Sequence, residues 1–531
     1  MKIRYFITAA LIASAASYAH SQSNIENPIT KAMMGVYAQE LEENPENYEI
    51  YFRRANEYYN LNQYLRALSD IDNALKYTPE TETDLLFQEY TLRANIYMMS
   101  DRKEDALIDL EKACQLDPTS TTTLFLKANT EYELGKYADA KEDYSKLSRY
   151  DQHMTEPLIG LARIAVKENN LGLANEYIDR AVSFASADSE VYLRRADVRK
   201  LMGNNTGAVD DLIIAISIDK ENSRALAELV AMSNSDYNAV ITGLSSAIQQ
   251  APAVGMFVYL RAIISMSHYR YTAAIADFHQ IIDENLYNYA GIYGSLAECY
   301  YGIGKYQEAL TEINQALSMT TDNGEYYITR AKIRRAMGDY DKALESASTA
   351  LDKLPGTIKA VVEKGLCEAS TGNYEEASEL FGEAIMDAPD NAYNYFLRAA
   401  VMTDHLNQTA AARSLYRRVA DLDADALNVK SFKGFALLMQ GKTADATAWM
   451  DNILANAKDV DGSLNYYGAC LFSQMGNMER ALSCMENSLE NGYADYTNWT
   501  KTDDCVISVA KMRSDKRFEA LLNRYDYLFK D

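Results

Sequence analysis

The chain has little of what interrupts helices. Its 531 residues hold only 8 Pro and 24 Gly. Proline removes a backbone donor and glycine raises the entropic cost of ordering. Their scarcity therefore argues against long flexible linkers and leaves room for many helices. Cysteine is sparse, at 6 residues with no CxxC and no His-Cys cluster. That excludes a disulfide-stapled small-domain framework and makes a structural metal unexpected. The 5 His are scattered and form no HExxH pair, and there is no phosphate loop or GxSxG elbow. No motif therefore places a catalytic metal, a bound phosphate or a nucleophilic serine, and no enzyme activity and no cofactor are expected. Positive charge is in deficit, with 52 Lys and Arg against 76 Asp and Glu and a formal net charge of -24. Such a field repels phosphate backbones and anionic lipid, so nucleic acid and membrane surfaces are not expected partners.

The first residues stand apart from the rest. Lys2 and Arg4 form a short basic region, followed by an apolar run from Tyr5 to Ala16. Ser17-Tyr18-Ala19 is a small-x-small cleavage signal, with Ala19-His20-Ser21 as the competitor. This pattern predicts a secretory signal peptide over residues 1–19, with cleavage alternatively at 21. The run is too short to span a bilayer, and no later apolar run is longer, so no membrane span is expected. No Cys stands near the cleavage point, so no lipid anchor is expected. The mature chain is expected to be exported, periplasmic or extracellular, and soluble.

What the chain has in abundance is one pattern at a fixed interval. Gly304-Lys305-Tyr306-Gln307-Glu308-Ala309 is followed by Gly338-Asp339-Tyr340-Asp341-Lys342-Ala343 and Gly372-Asn373-Tyr374-Glu375-Glu376-Ala377, with the alanines 34 residues apart. A period of this size marks a stacked array in which each unit contacts its neighbours. The same alanine recurs as Ala67, Ala106, Ala140, Ala174, Ala208, Ala274 and Ala411, with Ala412 fitting nearly as well, and again as Ala446 and Ala481. A weaker copy over Glu221 to Val254 has Val240 there, which brings the count to thirteen. Each copy predicts two helices. In the first copy Tyr51, Ala55 and Tyr58 share a stripe, a polar turn follows, Ala67, Ile71 and Ala74 share the next stripe, and Pro79 closes the unit. Small residues let the two backbones approach, and large ones fill the gaps to interior density. In front of the array, Met33, Met34, Tyr37 and Leu41 lie on one face of a lone predicted helix, Ile29 to Glu43.

These residues resemble the tetratricopeptide repeat. The copy from Ala290 to Asn323 carries Tyr293, Leu296, Ala297, Tyr300, Ala309, Ile313 and Ala316 at the family's signature positions, and departs from it at Thr321, where the family has Pro. The resemblance covers roughly residues 48 to 495. It implies an all-α fold, a right-handed α-α superhelix (solenoid) of about 13 tandem helix-turn-helix repeats with terminal capping helices and a concave groove lined by the first helices. The expected division is a signal peptide at 1–19, an N-terminal capping helix at 22–47, repeats 1–6 at 48–254, repeats 7–13 at 255–495, and a C-terminal capping segment at 496–531. In that last segment Trp499, Phe518, Leu521 and Leu522 are expected to cover the final repeat's apolar face, because an uncapped end would aggregate.

Comparing the copies singles out two constellations. Arg54, Arg93, Arg195 and Arg261 are each followed sixteen residues later by Asp70, Asp109, Asp211 and Asp277, and Lys127 is followed likewise by Asp143. An ion pair between the two helices of one copy is expected; Arg330 and Arg398 lack the Asp. The second constellation is Asn56, Asn95 and Asn129, flanked at helical spacing by Phe52, Tyr59, Phe125 and Tyr132. The resemblance implies that this face lines the groove, where Asn bonds the backbone of an extended peptide. An amide both donates and accepts, so it can pair with a peptide unit whatever its side chain, and the aromatics add apolar contact. The alternative is that these Asn bond the adjacent repeat.

Other clusters have plainer readings. Met256, Tyr259, Ile263 and Met266, with Leu229 and Met232, read as core packing more than as a Met-rich docking surface. Cys470 and Cys484 are the one cysteine pair within a repeat, and buried thiols are the expectation for all six. Asp421-Leu422-Asp423-Ala424-Asp425 mimics the start of a calcium loop but lacks the Gly and Glu such a loop needs further on, so a connecting turn is expected and no metal. The functional expectation is an exported, non-catalytic scaffold binding protein or peptide through its groove. The alternative is an envelope component of carbohydrate or nutrient handling that uses similar helices.

Overall fold

The computed structural model describes residues 28–422, 427–502 and 504–530. The signal-peptide segment and Asp423 to Asp425 of the acidic run lie outside the described residues. The described chain is helical, with no strand among the described residues. Helix α1 (Pro28–Glu43) precedes thirteen helix pairs, from α2 and α3 (Tyr48–Asn60, Tyr64–Tyr77) to α26 and α27 (Ser463–Gln474, Met478–Glu490). Two short helices follow, α28 (Tyr496–Thr500) and α29 (Lys516–Arg524).

The turn inside each pair explains the recurring Gly or Asn. In copy 1 the second residue after the first helix, Asn62, has φ 58°, and in copy 8 its counterpart Gly304 has φ 81°. Left-handed backbone at this point lets the next N–H reach back to close the helix end: Gln63 N–H to the Tyr58 carbonyl at 2.8 Å, and Lys305 N–H to the Tyr300 carbonyl at 2.8 Å. The second helix then starts at once and folds back on the first. Their contact is the recurring alanine. Ala67, Ala106, Ala140, Ala174, Ala208, Ala274, Ala309, Ala343, Ala377, Ala446 and Ala481 are all 0% exposed. In the weaker copy Val240 is also fully buried. In copy 11 the packing alanine is Ala412, 1% exposed, while Ala411 faces solvent.

The sixteen-residue ion pairs are present in all five copies that carry them. Arg54 grips Asp70 with Nε at 2.6 Å and Nη2 at 2.8 Å, and Arg93 grips Asp109 with the same two distances. Arg195 reaches Asp211 at 2.7 Å, Arg261 reaches Asp277 at 2.6 Å, and Lys127 pairs with Asp143. The carboxylates are buried. Three of the cations also join the copy before: Arg93 reaches Asp72 at 2.7 Å, Arg195 reaches Asp179 at 3.1 Å, and Arg261 donates to the Ser245 hydroxyl at 2.9 Å. Without the Asp, Arg330 settles for the Ser346 hydroxyl at 3.3 Å, and the buried Arg398 Nε has no partner.

The chain forms two compact units, Met1–Met232 and Ser233–Asp531. In the first, α1 lies against α2, with Leu41 buried and Met33, Met34 and Tyr37 half-buried. Within each unit a second helix packs between the first helix of its own copy and that of the next, while successive first helices also touch one another. First helices therefore line one side of each array, here called the inner face. Leu229 and Met232 are buried in the first unit, and Met256 and Tyr259 in the second, so these four are core. Ile263 and Met266 are half-buried. None of the six cysteines, Cys470 and Cys484 included, forms a disulfide among the described residues. No helix among the described residues is long and apolar enough to cross a membrane.

The buried pair makes a stability prediction. Asp109→Asn leaves Arg93 facing a neutral amide and is expected to cost about 3 kcal/mol, because a half-buried charge loses its main partner. Glu49→Gln, which breaks the exposed Arg53–Glu49 pair at 3.5 Å, is expected to cost about 0.5 kcal/mol or less. Urea denaturation of both variants checks the contrast.

Candidate functional site

The inner face of the first unit begins with α2, α4 (Thr83–Met99) and α6 (Thr121–Glu133). Asn56 is exposed, and Phe52, Tyr59 and Asn95 are half-buried. Tyr59 leans on Tyr64 of the second helix, with ring centroids 6.0 Å apart. The side chains of Asn56 and Asn95 make no hydrogen bond to any described residue, so both amides keep their donors and acceptor.

The third copy differs. Tyr144 of α7 (Tyr137–Tyr150) is buried, and its hydroxyl donates to Asn129 Oδ1 at 2.5 Å. Phe125 packs on the same Tyr144 ring at 6.1 Å. Tyr132 is buried against Tyr137 at 5.4 Å and lies under the Arg163 guanidinium, 4.0 Å from its centroid. Sequence grouped seven residues on one face. The structure leaves the Asn56 and Asn95 amides without a hydrogen bond to any described residue, packs Phe52 and Tyr59 half-buried against the core of copy 1, and gives Phe125, Asn129 and Tyr132 partners inside the array. Further along, the inner face is charged and neutralises itself. Arg163 meets Glu133 at 3.3 Å, Lys200 meets Glu228 at 2.7 Å, and Arg224 meets Asp197 at 2.8 Å.

In the second unit the inner face is occupied by the chain itself. After α27, residues of the stretch 491–502, and Asp504, reach the first helices and turns of copies 7 to 9. Gly492 has φ 83°, and a Cβ there would fall on the Arg270 guanidinium, so only glycine lets Arg270 donate to the Asn491 carbonyl. The Tyr493 ring lies 4.5 Å from Tyr269. The Tyr496 ring covers Gly304, 2.6 Å from where a Cβ would stand. The Thr497 hydroxyl donates to the Tyr301 carbonyl and meets the Tyr306 hydroxyl at 3.1 Å. Asp504 accepts from Arg335 Nη1 at 2.8 Å, while Arg335 Nε donates to the buried Glu363 at 3.2 Å. Burial opposes the Arg335 charge, but Asp504 and Glu363 more than offset it and hold the guanidinium protonated.

Tyr301 and Arg335 stand on first helices, and the tail gives both a partner. One signal was legible. Tyr269 stands at the left-handed turn position, φ 59°, where other copies place Gly, Asn or Asp. A bulky residue there carries strain of about 1–3 kcal/mol, and this one is clamped by Tyr493.

The rest of the tail packs on the last copy. Trp499 is fully buried, 5.0 Å from Tyr466 and 5.9 Å from Tyr493. Phe518, Leu521 and Leu522 of α29 join the same core as Met485 and Leu489.

Array and inner faces define a helical-repeat scaffold of the α-solenoid class. Family models described as Tetratricopeptide repeat match residues 125–190, 259–324 and 334–400. The chain is a tetratricopeptide repeat protein with many tandem copies. Among curated relatives, Protein SGT1 homolog from Bos taurus is 36% identical over 77 residues, 14% of this chain and 23% of that one. The chain thus spans about a quarter of the length of the first curated relatives it matches. Mitochondrial import receptor subunit TOM70 from Homo sapiens is 21% identical over 460 residues, 82% of this chain and 74% of that one. The crystal structure of yeast Tom70 is 17% identical, covers 77% of this chain and 99% of that chain, and has a TM-score of 0.35.

Two predictions follow from these geometries. Asn129→Ala strands the buried Tyr144 hydroxyl and is expected to cost about 1–2 kcal/mol, whereas Asn56→Ala and Asn95→Ala stay within about 0.5 kcal/mol; thermal melts of the three variants check this. The second concerns pH. Asp495 caps α28, accepting from Asn498 N–H at 2.9 Å. Burial pushes its carboxyl up to about 7, although Asn498 and the Tyr271 hydroxyl pull it back. A carboxyl raised on folding contributes stability fully below its unfolded value, and that contribution is lost as pH rises through the folded value. The melting temperature is therefore expected to fall as pH rises from the ordinary carboxyl value, about 4, to about 7, with Asp495→Asn showing a smaller fall.

Proposed function

We propose that this chain is an exported, non-catalytic scaffold that binds a protein or peptide partner along the inner face of copies 1 to 3. Phe52, Asn56, Tyr59 and Asn95 make the contacts, and Phe125, Asn129 and Tyr132 form the packed end that holds their helices in place. One observation carries this reading: Asn56 and Asn95 keep both donors and acceptor free beside half-buried aromatics, on helices locked by buried Arg–Asp pairs. Free amides on a rigid support can bond an extended backbone with little ordering cost. The aromatic rings give a partner's side chains apolar area to cover.

Selection from a phage-displayed library of random linear peptides tests the groove. Wild type is expected to enrich binders, and Asn56→Ala with Asn95→Ala is expected to weaken them about tenfold, the loss of one or two net hydrogen bonds. Equal binding by wild type and this double variant would sink the assignment. Export has its own readout. Expressed with its full N-terminus, the protein is expected to yield a mature chain starting at His20 or Gln22, and a secreted or periplasmic product still starting at Met1 would refute cleavage.

A further inference from the structure

We propose that the inner face of copies 8 and 9 is a second peptide-recognition site, that the chain's own Tyr496, Thr497 and Asp504 fill it in cis, and that a peptide of the same chemistry fills it in trans when those contacts are released. The segment to be recognised is a Tyr-Thr pair followed by an acidic residue.

The site has three parts. Gly304, without a side chain, offers a shelf for the Tyr496 ring. The Tyr301 carbonyl and the Tyr306 hydroxyl take the Thr497 hydroxyl, one as acceptor and one at 3.1 Å. Arg335, backed by Glu363, presents a guanidinium edge to Asp504 at 2.8 Å. These are the tools of recognition: an aromatic shelf, a directional hydroxyl and a charge-assisted bond.

The tail divides into two kinds of contact. Tyr493, Trp499, Cys505 and Phe518 are buried in an apolar core with the last copies. Tyr496, Thr497 and Asp504 reach across to copies 8 and 9 chiefly through hydrogen bonds and an ion pair. A half-buried ion pair is often no more stabilising than apolar side chains of the same volume, because desolvation offsets the attraction. What such a pair supplies is specificity and a contact that can exchange. Release therefore separates the polar half while Trp499 keeps the segment anchored. This site is independent of the one on copies 1 to 3, because none of its residues lies in the first unit.

The test uses the full chain and a fluorescent synthetic peptide of residues 493–504. Thr497→Val with Asp504→Asn releases the tail without touching Trp499. Because a site filled in cis is available only for its open fraction, the double variant is expected to bind the peptide about tenfold or more tighter than wild type. Adding Arg335→Gln to the double variant is expected to remove that gain. Equal binding by wild type and double variant, or a gain that survives Arg335→Gln, overturns the proposal. A second measurement covers the case in which the variant destabilises the unit. In wild type, saturating peptide is expected to speed amide hydrogen exchange over residues 496–504 and leave α26 unchanged. Unchanged exchange over 496–504 also overturns it.

Discussion

The structure depends on one close approach, repeated. At each recurring alanine the backbones of two antiparallel helices come near enough that no larger side chain is needed to fill the gap. Eleven of these alanines are fully buried, and the weaker copy fits Val240 into the same place. The approach needs a short turn, and the turn needs a left-handed residue, which is why Gly, Asn or Asp follows the first helix in copy after copy. Once two helices are this close, the sixteen-residue spacing brings an Arg on one beside an Asp on the other. The buried ion pairs are thus a consequence of the alanine contact, and they tie the copy together and, through Asp72 and Asp179, to the copy before.

An array built this way leaves its first helices side by side, with positions that packing does not constrain. Those positions differ between the two units. In copies 1 to 3 they hold amides and aromatic rings, and the third copy turns its own set inward through Tyr144. In copies 8 and 9 they hold the chain's own tail. One kind of surface, made by the same packing rule, is open in one unit and filled in the other.

Sequence made the repeat plain because each defining contact is local and recurs. Ala343 with its neighbours, or Arg93 with Asp109, is the same sentence in many copies, so chance matches cancel and the pattern stands out. The packing of copy 11 was less legible, since an extra residue shifts the frame and only burial chooses Ala412 over Ala411. Asn129 looked the same as Asn56 and Asn95 along the chain. Its hydrogen bond depends on a Tyr at position 144, where the first two copies have Ile71 and Leu110 at the same spacing from the recurring alanine; that single side chain takes one Asn out of the open set.

What sequence alone determined is therefore the helix pairs, their period, their turn chemistry and their ion pairs, all contacts within or between adjacent copies. What only the tertiary structure decided is which inner-face residues are free. Thr497 meets Tyr306 across 191 residues of chain, and Asp504 meets Arg335 across 169. Each such contact occurs once, has no second copy to confirm it, and exists because the tail of the second unit comes back onto copies 7 to 9 of that same unit. Periodicity carries no information about a contact of that kind. Only Tyr269, a bulky residue at a position that favours Gly, marked in the sequence where the tail would land.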